Sequence, residues 1–183
     1  KDGSMRVRDE DGEVDYCRAT AVLQDYMKYQ LSVRDNIALG DIAKLGDDEA
    51  IREAYRSVCG DELPFGLDDV VGNEFGVRDL SGGEWQRLAI ARSFIRKAPL
   101  IVLDEPNASI DAFAEAAMVR RMFEMAADRT CVFITHRLTT TALSDRIIVM
   151  KDGRICEEGT HEALMRLGGE YARMYKTQAK MYA

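Results

Sequence analysis

No two cysteines in this chain lie close enough in sequence to form a metal-binding pair. Cys17, Cys59, Cys131 and Cys156 are widely spaced, and none sits beside His136 or His161. That spacing argues for reduced thiols rather than a zinc site or a disulfide framework. Also lacking is any apolar run approaching the ~18–20 residues of a membrane span. Lys1 opens no secretory signal, so the chain itself is expected to be soluble. A basic excess is missing too: the net charge is -7. That argues against a nucleic-acid binder, whose footprint is a basic face, and no nucleic-acid partner is expected. Acidity does not exclude nucleotides, because backbone N–H groups at a helix start can cradle a phosphate. Internal repeats and low-complexity tracts are absent.

What is present reads as one α/β domain. The 183 residues are 46% hydrophobic and 31% charged, a globular balance with enough chain to bury a core. Leu100–Asp104 and Cys131–Thr135 are nearly continuous apolar runs, predicting parallel strands covered on both faces. Between them Phe113, Ala116, Val119, Phe123 and Ala126 recur at helical spacing, so strand, helix and strand make a βαβ unit. Asp47–Val58 predicts a helix, and the acidic stretch Gly60–Asp79 predicts loop. Arg146–Glu158 reads as a hairpin turning at Asp152-Gly153, followed by two helices split at Gly168-Gly169. Residues 30–97 read as a mostly helical insertion between sheet-forming segments at 1–29 and 98–160, with closing helices at 161–183.

Four places carry chemistry. Leu80-Ser81-Gly82-Gly83-Glu84 opens what otherwise reads as a charged, amphipathic helix. Ser81 with Glu84 three residues later is a capping box, and glycines in the first turn leave the free N–H groups unshielded for an anion. The plain alternative is an N-cap with incidental glycines. Next, the strand through Leu103 ends in Asp104-Glu105-Pro106. Two carboxylates at a strand's carboxyl end sit where α/β sheets hold ligands; one can serve Mg²⁺ and the other can orient or deprotonate water. The strand ending at Thr135 delivers His136 to the same kind of position, whereas His161, near a helix start, reads as structural. Finally, the strand in Ala21–Tyr26 ends in Gln24, which can meet a metal-bound water or simply tie down a loop.

In order and spacing these segments resemble the ATP-binding cassette of ABC transporters. Gln24 stands at the Q-loop position and Leu80–Glu84 at the family signature. Leu100–Glu105 matches the Walker B strand, Ala108-Ser109-Ile110-Asp111 the D-loop, and His136 the switch histidine. Asn107 and Ile110 depart from the usual threonine and leucine without removing a group of assigned role. "SVRDNIALGD", "ITHRLTT" and "GGEYARMYKTQ" are similar to the exporter type. The resemblance implies a P-loop NTPase fold, with a RecA-like parallel-sheet core plus a helical subdomain. It implies ATP and Mg²⁺, with Glu105 as general base, His136 on the γ-phosphate, and Asp104 and Gln24 serving Mg²⁺. Cassettes of this family pair head to tail. Ser81, Gly82, Gly83 and Glu84 would then face the nucleotide of a second ATPase domain, and Asp111 would lie at the seam. The other partner implied is a transmembrane domain at the cytoplasmic face of the cell membrane, docked on the helical insertion.

One departure is large. The chain contains no G-x-x-x-x-G-K-[ST], and the 23 residues before Gln24 are too few to hold the family's P-loop. The expectation is a cassette lacking its N-terminal P-loop strand and helix, inactive alone and exposing apolar side chains on one sheet face. Two rivals follow: a non-hydrolytic remnant that only pairs with a complete cassette, and a soluble ABC-type ATPase acting on DNA or ribosomes. The second would need a basic or coiled-coil insertion, which the acidic Gly60–Asp79 stretch does not offer.

Overall fold

The computed structural model describes residues 19–72, 79–106 and 112–181. They part between Ile134 and Thr135 into two compact units, each with its own sheet. In the first unit the apolar run forms β2 (Leu100–Asp104), flanked by β1 (Ala19–Val22) and β3 (Thr130–Ile134). Both pairings are parallel, with Val22 beside Leu103 and Asp104 beside Ile134. The three carboxyl ends therefore emerge at one edge, and α4 (Ala112–Met125) makes the predicted crossover from β2 to β3.

Strand alternation divides the sheet into two unlike faces. Val22, Ile101 and Leu103 are buried in one apolar cluster with the helices of this unit, and Cys131 and Phe133 pack half-buried against it. On the other face Val132 and Ile134 are 37% and 48% exposed. Coverage on both faces is therefore not met for β3; the helical cluster takes one face only, and the other leaves apolar side chains exposed, as expected of a sheet lacking the P-loop helix. The expected α4 stripe also shifts. Ala116 is exposed, while Met118, Val119, Met122 and Ala126 are buried. Phe123 is half-buried, its ring centroid 5.4 Å from that of Phe133. Val119 and Ala126 keep the inward places the periodicity gave them, and the flexible, apolar Met118 and Met122 join them there.

Among the described residues, every regular element between β1 and β2 is helical. These are α1 (Val33–Ala38), a short 3-10 turn at Ile42–Lys44, α2 (Asp48–Cys59) and α3 (Gly82–Phe94). Asp47 caps α2, its Oδ1 accepting from Ala50 N at 3.0 Å. Ile51, Ala54, Tyr55 and Val58 make the helix's inward stripe. Helix α3 is not the amphipathic surface helix its charges suggest. Trp85, Gln86, Leu88, Ala89, Ile90, Ala91, Ser93 and Phe94 are all buried, so it runs through the middle of its unit. Gly40 permits that packing: a Cβ there would fall 1.7 Å from the Arg92 carbonyl oxygen.

The second unit pairs β4 (Ile147–Lys151) antiparallel with β5 (Arg154–Gly159). Asp152 and Gly153 form the two-residue turn with φ of 50° and 71°, the left-handed pair that matches hairpin twist. Three helices complete it: α5 (Leu138–Thr141), α6 (His161–Leu167) and α7 (Glu170–Met181). Ile147, Val149, Leu164 and Tyr171 are its buried centre. His161 is structural, as the sequence suggests. Its Nδ1 lies 2.8 Å from the Tyr171 hydroxyl, which also meets Thr141 Oγ1 at 2.7 Å.

Candidate functional site

The start of α3 is built as the sequence predicts. Ser81 Oγ accepts from Glu84 N at 3.3 Å, and the Glu84 carboxylate accepts from Ser81 N at 2.8 Å. The first intrahelical bond runs from Trp85 N to Ser81 O. Helix geometry gives the Gly82 and Gly83 amides no acceptor within α3, and neither residue carries a side chain to cover them. Asp79 fixes the approach, its Oδ1 accepting from Leu80 N at 2.8 Å and from Trp85 Nε1 at 3.2 Å. The acidic stretch is thus partly a set of loop ties. Asp69 likewise accepts from Gly66 N, and Asp68 pairs with Arg34.

The carboxyl edge of the sheet collects the next residues. Parallel pairing brings the chain just past Val22 to the level of Asp104, so Gln24 and Asp104-Glu105 share that edge. Strand β1 itself stops at Val22, two residues short of the predicted end at Gln24, which lies exposed in the following loop. Glu105 leaves β2 with φ of 45°, a left-handed conformation costing a non-glycine residue roughly 1–2 kcal/mol. Its N–H is held by Ile134 O at 3.0 Å. Such strain persists where the surroundings impose it and is a pointer to function. Asp104 and Glu105 are each half-buried.

Several residues that sequence reasoning missed tie these parts together. The Tyr26 hydroxyl, just past Gln24, donates to Gly82 O at 2.9 Å. Gln86, almost fully buried on α3, donates its amide to Pro106 O, one residue past Glu105. Asn36, fully buried, donates to Tyr29 O, Leu31 O and Ser32 O at 2.9, 3.3 and 3.1 Å. Arg92 on α3 grips Asn36 in return, through Asn36 O at 2.6 Å and Oδ1 at 2.9 Å. It also donates to Met27 O at 3.2 Å and covers the Tyr29 ring at 4.6 Å. Burial pushes this guanidinium below its ordinary pKa. The loop after Gln24 is therefore fastened to the signature helix at both of that helix's ends. The available signal was a polar residue inside an apolar helical stripe, Asn36 beside Val33 and Ile37.

His136 belongs to the second unit. It is exposed, and its carbonyl accepts from Gln178 Nε2 at 2.9 Å. Asp111 and the rest of Ala108–Asp111 lie outside the described residues, as does Cys17. Among the described residues no three His, Cys, Asp or Glu side chains gather as cation ligands. Mg²⁺ needs no such cage: it is held by one or two protein oxygens together with waters and substrate phosphates. The Asp104 carboxylate and Gln24 amide oxygen, hard donors at one sheet edge, suit that arrangement.

A parallel sheet with carboxylates at its carboxyl edge, joined through a helical segment to a glycine-opened helix start, places the chain among α/β proteins that carry their polar residues at the strands' carboxyl ends. The chain belongs to the ABC transporter family, whose model matches residues 5–108. It is 38% identical to the subtilin transport ATP-binding protein SpaT of Bacillus subtilis over 88% of this chain and 27% of that protein. Against an ATP-dependent lipid A-core flippase of Methylobacillus flagellatus it is 40% identical, over 86% of this chain and 27% of the relative. A solved bacterial Atm1-family ABC exporter with ATP bound superposes with a TM-score of 0.76 at 34% identity, covering 88% of this chain and 28% of the exporter. The chain thus spans little more than a quarter of the length of these relatives. Among its described residues no helix is long and apolar enough to cross a membrane.

Proposed function

We propose that the chain acts as the ATPase domain of an exporter-type ABC transporter, coupling hydrolysis of Mg-ATP to efflux. The observation that carries this is the opening of α3, where the Ser81–Glu84 capping box encloses Gly82 and Gly83, whose amides have no side chain to cover them. In a head-to-tail pair with a second ABC ATPase domain, Ser81, Gly82 and Gly83 receive the γ-phosphate of the nucleotide held by the other cassette, while Glu84 holds that helix start in shape through the capping box. Glu105 takes the proton of the attacking water, and His136 hydrogen-bonds the γ-phosphate. Asp104 and Gln24 hold Mg²⁺, which, when bound, neutralises phosphate charge. Asp111 lies at the seam of the pair. The helical stretch 30–97 receives the transmembrane domain, with the sheet segments 1–29 and 98–160 and the helices 161–183 completing the cassette at the cytoplasmic face of the membrane.

Because these 183 residues hold no G-x-x-x-x-G-K-[ST], the chain by itself binds and hydrolyses ATP poorly. Ligand at a hundred times its Kd would add roughly 2.7 kcal/mol of stability. Millimolar Mg-ATP should give the isolated chain almost no melting shift, and a clear saturable shift refutes that part of the reading. In the full-length gene product, Glu105→Gln should lower ATP turnover by ~10²–10⁴-fold while ATP binding survives. Turnover unchanged by that substitution removes Glu105 from the mechanism. A full-length protein that binds ATP without hydrolysing it favours the non-catalytic pairing role instead.

A further inference from the structure

Helix α5 begins directly after His136 and lacks a cap of its own. Arg137 stands at its N-cap position with φ of -94° and ψ of 98°, and makes no side-chain cap bond. An arginine has donors only, so it cannot accept the free N–H groups of a helix start. The acceptor comes instead from α7: Gln178 Oε1 takes the Leu138 N–H at 2.6 Å. The same carboxamide donates through Nε2 to the His136 carbonyl at 2.9 Å. One planar group therefore holds the backbone on both sides of Arg137 and fixes the extended conformation that follows His136.

Gln178 can do this because α7 is rigidly seated. Tyr171, Met174, Tyr175 and Gln178 follow the i, i+3, i+4, i+7 spacing of one helix face. Tyr171 is fully buried, and the half-buried Met174 and Tyr175 pack against the same apolar cluster. The helix start is pinned by the Glu157 carboxylate, which accepts from Glu170 N at 2.5 Å and Tyr171 N at 3.0 Å. Gln178 is the polar end of an apolar stripe, and both its polar atoms are spent on the His136 segment. On surface grounds alone a lysine or glutamate would serve that position as well.

We infer that Gln178 is a positioning residue for His136, setting the backbone from which the imidazole reaches the γ-phosphate. This rests on the functional reading above. Its effect falls on the chemical step, since a small misplacement of a reacting group costs rate more than ground-state binding.

The test uses the full-length gene product and Mg-ATP, measuring kcat, KM and melting temperature for wild type, Gln178→Leu, Gln178→Glu, His136→Ala and His136→Ala/Gln178→Leu. Gln178→Leu is apolar, one bond shorter, and removes both hydrogen bonds; kcat should fall about tenfold with KM within about twofold. Gln178→Glu keeps the acceptor for Leu138 but sets a carboxylate against the His136 carbonyl, so it should not restore kcat. In the His136→Ala background, Gln178→Leu should cost little further, because the residue being positioned is gone. Wild-type kcat in Gln178→Leu overturns the inference. So does a loss that persists in full without His136, or one that follows melting temperature, since either marks a structural role alone. A wild-type protein without ATPase activity, or one indifferent to His136→Ala, overturns the functional reading instead.

Discussion

Asn36→Ala removes one small side chain and unfastens four partners. The Asn36 amide donates to the carbonyls of Tyr29, Leu31 and Ser32, and its oxygen accepts from the Arg92 guanidinium. The residue has no solvent exposure, so water cannot take the lost places without rearrangement. A neutral hydrogen bond contributes about 1 kcal/mol net and a charged one about 1.5–3 kcal/mol, with a further penalty for partners left buried. Some of the three carbonyls sit in a partly open loop, so the full sum is not realised. The expected loss is about 3–4 kcal/mol, a large share of the ~5–15 kcal/mol typical of a domain. For a chain of this size that lowers the melting temperature by roughly 6–16 °C. Trp85 is the chain's one tryptophan and is buried in the same unit. Urea unfolding followed by its fluorescence therefore reports on this unit. Asn36→Asp is the companion variant. It keeps the acceptor for Arg92 but replaces the amino group, whose two hydrogens the three carbonyls share, with a second oxygen facing them, and should be as damaging as alanine at neutral pH. A loss below about 1 kcal/mol for Asn36→Ala would refute the argument, because it would mean the network is already solvated.

Ser81→Ala deletes the side-chain acceptor for Glu84 N and should cost about 1 kcal/mol, read from the same fluorescence transition; no change would mean the capping box is redundant. Glu105→Gly relieves the φ of 45° and should leave stability unchanged or raised by up to about 1–2 kcal/mol, while ATP turnover of the full-length protein is lost. A destabilised glycine variant would show that the Glu105 side chain contributes to the fold. Alkaline pH should weaken the first unit through Cys59 and Tyr55. Burial pushes the Cys59 thiol from its ordinary 9.0 up to about 12, and raises the Tyr55 hydroxyl as well. A pKa raised in the folded state leaves stability intact below the unfolded value. That stability falls as pH rises above about 9 for Cys59 and above about 10 for Tyr55, by up to ~1.4 kcal/mol per pH unit for each group. Urea midpoints from pH 8 to 11 check this, and Cys59→Ala should flatten the slope. An equally steep slope in that variant would clear Cys59 of the effect.

Some of this protein was legible locally. The capping box at Ser81–Glu84, the turn at Asp152-Gly153, the Asp47-capped helix and the split at Gly168-Gly169 each follow from short-range chemistry, where a few neighbouring residues determine φ, ψ and the first hydrogen bonds. The order of the motifs was equally legible, because family membership is written in residue types and spacing. Three-dimensional packing decided the rest. Which face of β3 is covered depends on where helices land, so apolar Val132 and Ile134 could remain exposed. Helix α3 looks amphipathic in sequence yet is buried nearly all round, since its neighbours come from segments distant in the chain. Asn36 with Arg92, Gln86 with Pro106 and Gln178 with His136 are joined across 56, 20 and 42 residues. Hydrogen bonds of that separation have no sequence period to betray them. Periodicity marks which residues turn inward; only the folded chain decides which partner each one meets.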